Sequence, residues 1–373
     1  MDFSYTDEQQ MLLDTARRFV GERYPFEYRQ RVRDSAEGWS RETWLRLADL
    51  GLLALNVPES EGGLGAGPIE TMLVCNALGE GLLLEPYVGS AVVATSVIAE
   101  LGSPHQRQRW LPHLASGEVV ALLAHDEPDS GDDFARVQTR ARREGEHWRL
   151  DGRKSQVYHA PAANLLLVSA RTEDDVLAVF AVPTNVPGVH LAAQKTVDDQ
   201  CAANVHLDGA QVEADARLGA DAQGALRNAL DAGLAALCAD AFGAMDKAFA
   251  TTVDYCRSRT QFGAPIGTFQ SLQHRMADML MRLEEARAMS YLATSACGNP
   301  DLAERRAALA AAKALMGQCA RHIGQQAIQL HGGMGMTDEL AISHYFKRLI
   351  AFEFRNGSTD QHLRDYRKQL RAA

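Results

Sequence analysis

The C-terminal part of this chain constrains it most. From about Gly224 onward helical periodicity is nearly unbroken, with long Ala- and Leu-rich segments over 225–258, 270–298 and 300–330. Alanine and leucine have the highest intrinsic helix propensities, and apolar helices of this length bury their faces only by packing as a bundle. The N-terminal part is also helical. Thr6 and Gln9 have capping-box spacing, followed by Leu12, Ala16, Phe19 and Val20 at helical intervals. A second helix is expected over 40–50, ended by Gly51, and further periodic runs cover 69–78, 88–101 and 106–114, with a glycine-rich loop over 58–67. After Gly117 the pattern becomes short strands, over 119–124, 137–143, 147–150, 164–170 and 176–182. The expected fold class is α+β: an N-terminal helical domain (1–118), a middle β domain (119–223) and a C-terminal helix bundle (224–373).

With 373 residues, 46% hydrophobic and 23% charged, the composition is ordinary for a globular protein large enough to bury a cofactor. No run approaches the roughly 20 apolar residues that span a bilayer, so no membrane association is expected. Met1 to Thr6 lacks the basic start and apolar core of a signal peptide, and the expected location is cytoplasmic. The six cysteines, Cys75, Cys201, Cys238, Cys256, Cys297 and Cys319, are scattered without metal-ligand spacing; they read as buried thiols, and no metal site is expected. A net charge of −10 with no basic stripe argues against nucleic acid. A polyanionic ligand would need basic groups gathered locally.

Two strings supply such a locality. Arg257-Ser258-Arg259-Thr260-Gln261-Phe262-Gly263, with Pro265, Gly267, Phe269 and Gln270 behind it, joins one long helix to the next. A guanidinium there can grip phosphate bidentately, the glycines let backbone approach, and the following helix offers its N-terminal amides. In Gln329-Leu330-His331-Gly332-Gly333-Met334-Gly335-Met336-Thr337-Asp338 a long helix breaks into three glycines within four residues. Backbone without a β-carbon can press against a planar ring or a phosphate. Each string alone reads as a capped turn. The two together point to a ligand.

The strings resemble the FAD-binding motifs of the acyl-CoA dehydrogenase family, whose Arg-x-x-Phe-Gly and Gln-x-x-Gly-Gly segments match Arg259, Phe262 and Gly263, and Gln329, Gly332 and Gly333. The opening FSYTDEQ, the loop PESEGG over 58–63 and the helix, sheet, helix order are similar as well, so the resemblance spans essentially the whole chain. It implies an FAD-dependent α,β-dehydrogenation of an acyl-CoA thioester. The cofactor would be held by Arg259, Gln261, Phe262, Ile266 and Gln270, by Gln329, Leu330, Gly332 and Gly333, and by Ser358. In the family a glutamate takes the substrate's α-proton while the β-hydride goes to the flavin.

The resemblance fails where the chemistry is done. The stretch matching the family's Glu-Gly-Thr is Asn356-Gly357-Ser358, and a carboxamide cannot accept the proton. The alternative family position for the base aligns with Gly233. In the ring-binding segment Glu127 and Pro128 agree, but the flavin-contacting threonine is Asp126, the following glycine-serine is Gly131-Asp132, and Trp-Ile-Thr reads Val157-Tyr158-His159. The family builds each FAD site from two chains, one gripping the ring and the other donating the arginine and glycine-loop motifs. The resemblance therefore implies a subunit that completes the site of a glutamate-bearing partner, as in heterotetrameric bacterial enzymes acting on bulky acyl-CoAs such as steroid side chains. Two other readings stay open. One is a homo-oligomeric dehydrogenase whose base has moved to Glu353, Asp360, Asp231 or Asp126, although the CoA-contacting arginine expected three residues after Asp231 is Leu234. The other is a flavin-dependent monooxygenase of the same fold.

Overall fold

The computed structural model describes residues 5–128 and 134–372. The helices of the first third are α1 (Asp7–Arg23), α2 (Phe26–Asp34), α3 (Arg41–Asp49), α4 (Pro68–Glu80), α5 (Thr95–Leu101) and α6 (Pro104–Ala115), with a π-helical segment at Val88–Ala94. Strands β1 (Ala121–Ala124), β2 (Arg140–Glu144), β3 (His147–Tyr158), β4 (Leu165–Arg171), β5 (Leu177–Pro183), β6 (Val189–Lys195), β7 (Cys201–Glu213) and β8 (Arg217–Leu218) follow. The remainder is α7 (Gln223–Ser258), the short strands β9 (Thr260–Gln261) and β10 (Ala264–Pro265), α8 (Gln270–Ala296), α9 (Leu302–His331), α10 (Ala341–Phe354) and α11 (Thr359–Ala372). By contacts the chain forms two compact units: one holds the chain up to Arg29, Pro68–Leu83 and Leu234 onward, the other Gln30–Gly67 and Leu84–Gly233.

The first unit is helical. Helix α1 begins on a reciprocal cap, the Gln9 N–H donating to Thr6 Oγ1 (3.2 Å) and the Thr6 N–H to Gln9 Oε1 (3.0 Å). That satisfies two otherwise orphaned donors. Helices α4 and α7 cross at two glycines. A β-carbon on Gly79 would lie 2.0 Å from the Asp240 carbonyl oxygen, and one on Gly243 2.0 Å from that of Asn76. Two buried arginines secure the turn after α4, Arg29 Nε donating to the Leu82 carbonyl (3.0 Å) and Arg348 to the Leu83 carbonyl (2.8 Å). Arg348 is neutralised by Asp240 at 3.1 Å.

The second unit is built on an eight-stranded sheet in the order β6-β7-β3-β2-β4-β5-β8, with β1 parallel to β4. Strands β4 and β5 are buried along nearly their whole length, as their continuous apolar runs require. The long β3–β7 ladder carries two register shifts, one of them at Gly152, whose β-carbon would strike Thr139. Five of the six cysteines are buried and all six are free thiols. Among the described residues no helix is long and apolar enough to cross a membrane.

Candidate functional site

Both glycine strings lie in the helical unit. At the first, the Arg259 N–H donates to the Tyr255 carbonyl (2.8 Å), ending α7, and the chain folds into the β9–β10 hairpin. Its two-residue turn, Phe262-Gly263, takes φ of 54° and 82°, a double left-handed geometry that is unusual for phenylalanine. The Phe262 side chain is 94% exposed, and Arg259 and Gln261 are exposed beside it. The Ile266 N–H returns to the Arg259 carbonyl (2.8 Å). Gly267 lets the strap lie on α7, since a β-carbon there would sit 3.0 Å from the Cys256 carbonyl oxygen. Helix α8 then starts at exposed Gln270 with no side-chain cap on its first amides.

At the second string α9 ends at His331, and Gly332 takes φ 61°. The three glycines differ in what requires them. A β-carbon on Gly335 would fall 2.9 Å from the Ile328 carbonyl oxygen, so packing demands glycine there. At Gly332 the backbone angle demands it. Gly333 has neither constraint: its φ is not left-handed and a β-carbon would meet nothing within 4 Å. Gln329 is exposed, whereas Leu330 is buried in the core, so of the expected cofactor contacts only its backbone can be offered.

The turn between α10 and α11 holds the position expected for a base. Asn356 is exposed at φ 55° and Gly357 follows at φ 96°. Asparagine tolerates this conformation better than most residues. His362 Nε2 donates to the Asn356 carbonyl (2.8 Å), and fully buried Lys313 donates to the carbonyls of Glu353 (3.2 Å) and Gly357 (3.0 Å) while lying over the Phe352 ring. Ser358 Oγ accepts the Gln361 N–H (3.3 Å) and so starts α11. Two candidate carboxylates lie near this turn. Glu353 is buried and bound in two-pronged fashion by Arg321, with Nε to Oε2 at 2.9 Å. Asp360 is exposed in the first turn of α11.

In the sheet unit, a side chain at Gly233 would have to displace a side-chain methyl of Val93. A β-carbon would lie 2.6 Å from Val93 Cγ2, and Val93 belongs to the buried π-helical segment. Asp231, two residues earlier, is half-buried, and Asp126 is exposed. Glu127, which agrees with the family's motif, faces inward and is fully occupied: it accepts the N–H groups of Gln138 (2.7 Å) and Thr139 (3.1 Å), the Thr139 hydroxyl (2.6 Å) and the buried Lys154 ammonium (2.7 Å). Lys154 also donates to Ser169 Oγ (3.0 Å), which pairs with His125 Nδ1 (2.9 Å). Burial pushes the His125 pKa down to about 3 and, against the pull of Glu127, that of Lys154 to about 8. Sequence alone does not disclose this network, because Lys154 is one polar residue in a polar stretch. Val157 and His159 are buried and Tyr158 is half-buried, while Gly131-Asp132 lies outside the described residues.

Three family models match the chain in order: acyl-CoA dehydrogenase N-terminal domain (residues 6–118), middle domain (123–209) and C-terminal domain (223–370). It is 30% identical to the acyl-CoA dehydrogenase FadE27 of Mycobacterium tuberculosis, with 99% of each chain covered. Among solved structures it resembles a chain of the ChsE4-ChsE5 complex from Mycobacterium tuberculosis (28% identity, all of both chains, TM-score 0.91). A chain from a variant of the Tcur3481-Tcur3483 steroid ACAD is similar too (28% identity, 98% of both chains, TM-score 0.89). The chain belongs to the acyl-CoA dehydrogenase family, FAD-dependent oxidoreductases acting on CH–CH bonds.

Proposed function

We propose that this chain is the subunit of a two-component acyl-CoA dehydrogenase that completes the FAD site of a glutamate-bearing partner. The observation that carries the reading is the lack of a usable base at the expected positions beside an open pair of glycine loops. Position 356 is a carboxamide, position 233 is a glycine with a Val93 methyl against it, and Glu353 is bound by Arg321. Loss of a positioned base costs about 10² to 10⁴ in rate. Against this, Gly333 is a glycine that nothing in the chain itself requires, which fits a surface meant to lie against a cofactor.

FAD, when bound, supplies the hydride acceptor. This chain contributes Arg259 as a phosphate-binding cation, with Gln261, Phe262, Ile266 and Gln270 around it and the uncapped amides of α8 behind. Gln329, the Leu330 backbone, Gly332 and Gly333 form the facing surface, while Ser358 sits on the turn that has lost its glutamate. Arg259 and both glycine loops fit the dinucleotide end; the ring-facing positions, with exposed Asp126 in place of threonine, do not fit an anionic reduced flavin. The similarity to chains of the ChsE4-ChsE5 complex and of the Tcur3481-Tcur3483 steroid ACAD supports a heteromeric enzyme acting on a bulky acyl-CoA of the steroid class.

Native mass spectrometry with flavin quantitation, on the chain co-purified with the neighbouring gene product, tests this. The expected species is a heterotetramer with half as many FAD molecules as subunits, and the chain purified alone fails to bleach flavin when mixed anaerobically with saturated acyl-CoAs. A fully flavinylated homotetramer that bleaches rapidly would refute it and restore a relocated base.

A further inference from the structure

The glycine loop over 332–336 is suspended between two anchors. Upstream, His331 is buried, bonds the Ala327 carbonyl through Nδ1 (2.9 Å) and stacks on Tyr255. Downstream the chain reaches Asp338, whose carboxylate lies 3.2 Å from both Lys347 Nζ and His344 Nε2, the latter also 3.1 Å from the Asp338 carbonyl oxygen. Between them Gly332 and Gly333 border open space, where a β-carbon on either would meet nothing within 4 Å, and Met334 and Met336 are exposed.

His344 sits on α10 and is 1% exposed. Behind it Arg29, also 1% exposed, places a guanidinium nitrogen 3.1 Å from His344 Nδ1. A guanidinium can only donate, so Nδ1 must accept. The hydrogen of the neutral ring is then on Nε2, aimed at Asp338. The edge-on Phe26 ring, 4.9 Å away, closes one side, and Arg29 is itself held by the Leu82 carbonyl. The imidazole has one orientation and one tautomer.

A segment with three glycines in four residues loses much conformational freedom when it is ordered, and a ligand that had to order it would lose affinity accordingly. From this geometry we infer that His344 is a positioning residue, which sets the downstream end of the glycine loop through Asp338 and so presents Gly332 and Gly333 in a fixed shape before any ligand arrives. Its consequence for FAD rests on the function proposed above; its consequence for the loop does not.

The test uses the full chain alone and in its co-purified complex, with His344→Phe, His344→Gln and Asp338→Ala. Phenylalanine keeps the ring volume and removes both nitrogens. Glutamine keeps one acceptor for Arg29 and one donor for Asp338. Should loss of the imidazole beside buried Arg29 keep His344→Phe from folding, Asp338→Ala removes the carboxylate part of the same link at a half-exposed side chain and leaves the bond to the backbone carbonyl. Hydrogen exchange across 327–340 is expected to rise at least about 10-fold in the Phe variant, by a smaller factor in the Ala variant, and to return toward wild type in the Gln variant, with FAD retention in the complex falling about 10-fold in the Phe variant. Unchanged exchange over 332–338 overturns the inference, as does faster exchange with intact FAD retention when Arg259→Ala lowers that retention. If Arg259→Ala also leaves FAD untouched, the proposed function falls, and the exchange result still decides the role of His344.

Discussion

The rings of Tyr255 and His331 lie stacked, their centroids 4.3 Å apart and their planes 24° from parallel. Tyr255 stands one turn before Arg259 on α7, and His331 directly precedes Gly332 at the end of α9. One ring contact therefore ties together two strings that are far apart in sequence. Tyr255→Ala is expected to lower FAD retention in the complex more than Arg259→Ala alone, because it frees both strings at once. Tyr255→Phe should behave like wild type, since the hydroxyl lies 3.5 Å from the His331 carbonyl oxygen, at the limit of a hydrogen bond. A loss in the Phe variant equal to that in the Ala variant would assign the effect to the hydroxyl and not to the stack.

Gly333 separates fold from ligand more cleanly. Valine there meets no protein atom near its β-carbon, so the stability should move by no more than a surface substitution does, within about 0.5 kcal/mol. FAD retention should fall all the same, because the added side chain occupies the face assigned to the cofactor. The matched change Gly335→Val should instead destabilise the chain, by about 1–3 kcal/mol for overpacking against Ile328 and His331. If Gly333→Val retained FAD fully, the loop would not be a cofactor surface.

Lys313 gives a prediction about the turn that lost its glutamate. Its ammonium serves two carbonyls at the C-terminal end of α10, where a cation also complements the helix dipole. Lys313→Met keeps the apolar stem and strands the buried Glu353 carbonyl, at about 1–3 kcal/mol for an unsatisfied group, while the half-buried Gly357 carbonyl loses its partner nearer to solvent. Chemical denaturation should show a loss of that size with faster hydrogen exchange over 353–362. FAD retention in the complex should fall less than in Arg259→Ala, because of the residues assigned to the cofactor only Ser358 lies on this turn. A stability loss below about 1 kcal/mol would show that water replaces the ammonium.

Elements differ in how far the sequence discloses them. The bundle helices are legible to within a few residues because their apolar positions recur at helical intervals, and Thr6 with Gln9 announces the start of α1. Strands β6 and β7 are not, because runs such as His190-Leu191-Ala192-Ala193 carry residues of low strand propensity and are held by the ladder to β3. Helix α2 is hidden too, being nine mostly polar residues with no apolar stripe. At the site, the motif residues Arg259, Gln329, Gly332 and Gly333 can be picked out by type and spacing. The supports cannot: the Tyr255–His331 stack, the Arg29–His344–Asp338 chain and the Lys313 clamp each join residues whose types are common and whose sequence distance carries no signal.

The buried histidine of the sheet unit sets a pH dependence whose sign can be worked out. His125 is 5% exposed, and desolvation, followed by the Lys154 cation, lowers its pKa to about 3, with Glu127 opposing and Arg227 adding to the shift. In the unfolded chain an imidazole titrates near 6.5. Below that value the unfolded state binds a proton that the folded state refuses, so stability is fully present above about pH 6.5 and falls as pH drops through the window toward 3. The limiting slope is about 1.4 kcal/mol per pH unit. The lowered pKa of Glu127 adds a loss of the same sign, which sets in as pH falls through the ordinary carboxylate range. Between pH 5 and 7.5 the histidines dominate, and since burial also lowers the His331 pKa, it is the comparison with a His125 variant that separates His125. His125→Asn can keep a hydrogen bond to Ser169 without titrating. Urea unfolding across that range is expected to show a shallower decline for the Asn variant, by up to one proton's worth of slope at the acid end. Parallel curves for the two proteins would mean that His125 is protonated in the folded state, and that the Lys154–Glu127 pair tolerates a second cation beside it.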